Sequence, residues 1–151
     1  MTWRDRMAEL GVELPPVAAP AGSYVPAVRT GSLVFTSGQV PIVDGTVAAT
    51  GKVGGEVSPE EAQRLARVCA LNALAAVDSL VGLDAVVRVV KVVGFVASAE
   101  GFTGQPAVLN GASDLLAEVF GEAGRHARSA VGVAELPLGV PVEVEIVVEV
   151  R

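Results

Sequence analysis

The residues best placed to do chemistry lie in the last quarter of the chain, from His126 to Val150. Arg128 begins a run in which positions two, four and six residues further on are Ala130, Gly132 and Ala134. A β-strand alternates faces with a period of two, so the run predicts an arginine standing over a floor of small side chains. A guanidinium in such a hollow presents a fixed fork of donors, the shape that recognises a carboxylate. His126 shares that face if the strand extends back to it, which brings an imidazole to the rim of the hollow; an exposed loop histidine is the plainer reading.

The next segment, Val142 to Val150, is apolar at 142, 144, 146, 148 and 150, with glutamates at 143, 145 and 149. One face is therefore core and the other polar. A hairpin around Leu136-Pro137-Leu138-Gly139 would put Val131 and Val133 on the core face with Val144 and Ile146. Arg128 would then share the opposite face with Glu143. The same pattern also fits a surface strand carrying a solvated Arg–Glu pair, which stabilises little.

Elements must hold these residues in place, and the composition limits which. The 151 residues suffice for one domain burying roughly 70% of its unfolded surface. With 51% hydrophobic but only 4% aromatic residues, the core is one of valine, alanine and leucine. From Ala85 to Ala97 the only charges are Arg88 and Lys91, so that strand is apolar on both faces. Such a strand needs two covers: helices on one side and a partner subunit on the other, or a weakly exposed face in a monomer. The net charge of −6 and the scattered basic residues disfavour nucleic acid, whose binding requires a basic patch. No apolar stretch reaches 18 residues, and the charged opening Met1 to Leu10 does not read as a signal peptide, so no membrane partner and a cytoplasmic location are expected. Cys69 is the single cysteine and reads as a buried, inert thiol. With one histidine and one cysteine, no metal site is expected.

Residues 2–10 predict a short helix capped by Thr2, and the proline-rich stretch 11–22 an extended connector. Strands follow near 24–29 and 33–37, then a hairpin turn at Asp44-Gly45. A helix is expected from Pro59 to Val81, with Ser58 as N-cap, Glu61 completing a capping box, and an apolar stripe from Ala62 through Val77 to Leu80. After the long strand from Ala85, a second helix runs from about Pro106 to Phe120, and a terminal hairpin closes the chain. The fold class is α+β: one domain, a mixed sheet with two helices packed on one face.

Tyr24, the run Thr36-Ser37-Gly38-Gln39 closing an early strand, Asn110 near the start of the second helix, and Arg128-Ser129-Ala130-Val131 leading to Leu136-Pro137 and Val142-Glu143-Val144-Glu145 occur in an order that resembles the RidA (YjgF-type) family of enamine/imine deaminases. The resemblance spans about residues 22–150. It implies a chorismate-mutase-like fold and a homotrimer with clefts between subunits. It also implies hydrolytic deamination of imine or enamine intermediates of amino-acid metabolism, with no cofactor. By the same resemblance Arg128 holds the substrate carboxylate and Tyr24 lines the cleft. Ser37 and the Gly38 backbone offer hydrogen bonds near the reacting end, Glu143 positions the attacking water, Asn110 borders the pocket and Phe95 supplies an apolar wall. A non-catalytic trimer sensing a 2-oxo acid is the alternative, and a ribonuclease is disfavoured by the acidic charge. The chain departs from the family at Ala130, where cysteine is frequent, and at Gly124-Arg125-His126, where a proline-containing approach is commoner. It departs also in its N-terminal extension and in a helix-to-Arg128 spacing one residue longer. These differences mark a separate subgroup.

Overall fold

Seven strands and three α-helices make up the computed structural model, which describes all 151 residues. In chain order they are α1 (Trp3–Glu9), β1 (Ala27–Thr30), β2 (Leu33–Thr36), β3 (Ile42–Val43), β4 (Thr46–Val47), α2 (Pro59–Val81), β5 (Val86–Ala97), α3 (Gln105–Phe120), β6 (Ala127–Val133) and β7 (Val142–Val150). Five strands form the main sheet in the order β1-β2-β7-β5-β6, and β3-β4 is a separate hairpin. Every neighbouring pair in the main sheet is antiparallel except β5–β6, so the sheet is mixed.

The expected terminal hairpin does not form. β6 runs parallel to β5 at the sheet edge, and β7 turns back into the centre between β2 and β5. The physical reason is burial: Val142, Val144, Ile146 and Val148 are each at most 1% exposed, and only a central strand covered by helices gives them that. Val131 consequently lies on the open face, 44% exposed, rather than on the core face.

Both long helices pack on one face, where Leu65, Cys69, Ala73 and Val77 of α2 and Leu109, Leu116 and Val119 of α3 close over the valines of β5 and β7. Ser58 caps α2, its Oγ accepting from the Glu61 amide. The Glu61 carboxylate does not complete a capping box; it accepts from Arg64 Nε and Nη2 at 3.0 and 2.6 Å instead. The apolar stripe ends at Val77, and Leu80 projects into solvent. Gly94 of β5 lets α3 pack close, because a methyl there would run into the Leu109 side chain. α1 docks on this layer through Trp3, whose ring meets Phe120 edge-on at 5.1 Å and whose Nε1 donates to the Val86 carbonyl at 2.8 Å. Its cap is a full capping box between Thr2 and Asp5. The Asp44-Gly45 turn has φ of 51° and 79°, the left-handed pair that a two-residue hairpin requires.

The other face of the sheet carries no helix. Val28, Phe35, Val90 and Val131 are between 36% and 53% exposed there. Cys69 is fully buried, as its apolar neighbours indicate. No helix is long and apolar enough to cross a membrane.

Candidate functional site

The candidate site residues fall into two groups, one on each face of the sheet. The first is built around Arg128. In the β5–β6 register Arg128 is level with Val92, and Ala130 with Gly94, which puts the arginine on the helix side. Its guanidinium reaches α3: Nη1 donates to Asn110 Oδ1 at 2.8 Å and to Ser113 Oγ at 3.1 Å, and Nη2 to the Pro106 carbonyl at 3.3 Å. All three acceptors are neutral, and Arg128 belongs to none of the chain's ion pairs. A guanidinium has five N–H donors. The three contacts run through Nη1 and Nη2, and Nε–H takes part in none of them. Nε–H lies on the edge of a guanidinium that receives a carboxylate side-on.

Asn110, expected near the helix start, stands in the second turn of α3, one turn before Ser113, so both side chains fall on the same helix face. His126 also points to this face. Its Nδ1 lies 2.6 Å from the Gly124 carbonyl and its Nε2 2.9 Å from Ser113 Oγ. It is not an exposed loop histidine. Ser113 went unnoticed in the sequence, although its spacing of three from Asn110 places it one turn along.

The second group surrounds Glu143. Strand β2 ends at Thr36, whose Oγ1 accepts from the Ile146 amide at 3.1 Å, and pairing with β7 resumes at Gln39, which exchanges both backbone hydrogen bonds with Val144. From Phe35 to Gln39 is four steps, whereas their partners Val147 and Val144 are three apart. The extra residue is a bulge, and it lifts Ser37-Gly38 out of the ladder over Glu143. A Cβ on Gly38 would stand 2.6 Å from Glu143 Oε1.

A cleft of about 240 Å³ opens at this point, lined by Tyr24, Pro26, Gly38, Gln39, Val40, Ile42, Pro137, Leu138 and Glu143, with Ala18, Ala19, Pro20 and Ala21 of the N-terminal connector along one side. Tyr24 precedes β1 instead of lying in it, and its hydroxyl accepts from the Ala21 amide at 3.1 Å. Ser37 stands behind the cleft: its Oγ donates to the Val25 carbonyl at 2.6 Å. Burial, reinforced by the charge of Glu145, raises the pKa of Glu143 above its ordinary 4.5. Phe95 pairs with Glu143 on one side and Val131 on the other, half-buried on the open face. Behind the cleft, Asn72 of α2 is 2% exposed and donates Nδ2 to the Val40 and Ile42 carbonyls at 3.1 and 3.2 Å. The connector and Asn72 had no part in the sequence-based site, although a lone amide between Leu71 and Ala73 on a buried helix was the available signal.

Tyr24, Gly38 and Glu143 are thus brought together, and Arg128 and Asn110 are brought together. The two groups are not joined within one chain, because Glu143 is on the open face and Arg128 on the helix face. No cluster of three His, Cys, Asp or Glu side chains suited to a metal ion is present.

Residues 4–150 match the family model described as "YjgF/chorismate mutase-like, putative endoribonuclease". The chain belongs to the YjgF (RidA) family. Protein TCP17 of Trypanosoma cruzi is 48% identical over 147 residues, 96% of this chain and 92% of that protein. The crystal structure of Atu1372 from Agrobacterium tumefaciens, a protein of unknown function, superposes with a TM-score of 0.90 at 47% identity, over 99% of this chain and 92% of that one. E. coli TdcF, solved with bound serine, superposes with a TM-score of 0.65 at 28% identity, over 89% and 93% of the two chains. The chorismate-mutase-like YjgF fold is therefore established for this chain, and its mixed sheet carries the helices on one face as that fold requires.

Proposed function

We propose that this YjgF-family protein is a homotrimeric imine/enamine deaminase whose clefts combine Arg128 of one copy with Tyr24, Gly38 and Glu143 of the next. The observation that carries the reading is the state of Arg128: oriented by three neutral acceptors, free of any ion pair, with Nε–H left for a carboxylate. The serine bound to TdcF, itself a small carboxylate, is in keeping with it. The open sheet face with Phe35, Val90 and Val131 would become the interior of the trimer, which covers the apolar surface that one chain leaves exposed.

In the proposed reaction Arg128 fixes the carboxylate of a 2-imino acid and converts an encounter into a positioned reaction. Glu143, ionised, takes a proton from water as its oxygen attacks the imine carbon. The carbon–nitrogen π bond opens to a carbinolamine, and the same carboxyl returns the proton to nitrogen. Collapse forms the carbonyl and releases ammonia, leaving the 2-oxo acid. The raised pKa of Glu143 suits a group that must both accept and return a proton. Every bonding change is met by water and side chains, so the proposed cycle calls on no cofactor. Its expected setting is the cytoplasm, where such intermediates of amino-acid metabolism arise.

The deciding experiment is the rate of 2-iminopropionate hydrolysis, with the imine generated in situ by an amino-acid oxidase, for the wild type and Arg128→Ala. Acceleration lost in the variant supports the deaminase. Tight binding of a 2-oxo acid with no acceleration of this imine, nor of imines of larger amino acids, would instead favour a sensor with the same cleft, for which Ala130 in place of a polar residue would then be the first mark.

A further inference from the structure

The Arg128 guanidinium is held from behind by a chain of hydrogen bonds that ends in a backbone carbonyl. Gly124 O can only accept, so the proton on His126 sits at Nδ1, which donates to it at 2.6 Å. In the neutral ring Nε2 is then an acceptor, and the Ser113 hydroxyl, 2.9 Å away, donates to it. With its proton committed there, Ser113 Oγ keeps its lone pairs for Arg128 Nη1, which donates to it at 3.1 Å. Gly124 is buried in the short turn that ends α3, so the far end of the chain is anchored in the fold.

A serine inside a helix ordinarily turns its hydroxyl to a carbonyl of the preceding turn. That would leave Arg128 with a rotating partner. The acceptor at His126 Nε2 removes the choice. From the observed bonds we infer that His126, acting through Ser113, is a positioning residue that fixes which edge of Arg128 faces the ligand. This role rests on the reading of Arg128 as the carboxylate anchor.

Asn and Gln divide the two ends of the imidazole between them. An asparagine at 126 can donate to Gly124 O but falls short of Ser113, whereas a glutamine extends an amide oxygen to where Nε2 stands. The experiment is a titration of the full-length protein with pyruvate, followed by NMR, for wild type, Arg128→Ala, His126→Ala, His126→Asn and His126→Gln. Pyruvate affinity should fall about threefold to tenfold in His126→Ala and His126→Asn, the size of one neutral hydrogen bond, and return close to wild type in His126→Gln. Equal affinities for the Asn and Gln variants would overturn the role of Nε2 as an acceptor, and because both variants keep an amide at position 126, misfolding of the alanine variant does not blur the comparison. If Arg128→Ala loses binding and all His126 variants keep it, the anchor stands and the positioning role is wrong. If Arg128→Ala binds pyruvate as tightly as wild type, the anchor and the positioning role fall together.

Discussion

Arg128 and Glu143 stand two strands apart on opposite faces of the same sheet, Arg128 level with Val92 under α3 and Glu143 level with Phe95 on the open side. A ligand held by both must therefore touch two copies of the chain. Mixing tests this directly. Arg128→Ala and Glu143→Gln homo-oligomers should each be strongly impaired on 2-iminopropionate. After the two are unfolded and refolded together, about a quarter of the clefts in a random ring regain both side chains. Recovery of activity on mixing is the expected result, and a single-chain site would give none.

The open face should control assembly. Phe35→Asp or Val131→Asp places a charge in the open-face apolar patch, at a side chain that is 44% exposed in the single chain. Sedimentation should show a trimer for the wild type and a monomer of about 15 kDa for either variant. Circular dichroism should be unchanged, because neither side chain belongs to the helix-side core.

Arg128→Ala should lower kcat/KM by about tenfold to a hundredfold, the range expected for losing hydrogen bonds to a charged partner. Arg128→Lys keeps the charge but not the planar fork, and should recover only part of that loss. Steady-state kinetics on 2-iminopropionate checks both.

Gly38→Ala should act on Glu143 and little else. The added methyl would stand 2.6 Å from Glu143 Oε1 and 2.9 Å from its Cδ, so the carboxylate must swing away. A fall in kcat with an unfolding midpoint close to wild type is the expected pairing. Loss of stability without loss of turnover would contradict the place given to Glu143.

The raised pKa of Glu143 gives both stability and activity a sign. Between its ordinary 4.5 and its raised value, the folded chain binds more protons than the unfolded one, so this group's contribution to stability falls as pH rises through that interval. Glu143→Gln should gain in denaturant midpoint relative to wild type as pH is brought from below 4.5 to neutrality. Turnover runs the other way. A base must be ionised, so kcat/KM of the wild type should rise with pH across the same interval.

Much of this was legible in the residues. The Ser58 cap, the Ala62-to-Val77 stripe and the Asp44-Gly45 turn predicted their elements because each is decided by neighbours a few residues away. Strand pairing is not local. Val142 to Val150 alternates as any half-buried strand does, and nothing in that pattern says whether its partner is β6, next in sequence, or β5 and β2. The error over pairing carried into the site, since it placed Arg128 and Glu143 on one face. Contacts such as Asn72 to Val40 and Ile42, or His126 to Ser113, depend on how α2 and α3 dock, which single-residue spacing does not encode.

The central position of β7 also sets a timetable. Until β7 is made, no strand can join the β1–β2 pair to the β5–β6 pair. Both present unpaired edges until β7 emerges and is inserted between them. Nascent chains stalled before Val142 should therefore be open to proteases and to the holding action of chaperones, with protection arriving abruptly once β7 is free to pair.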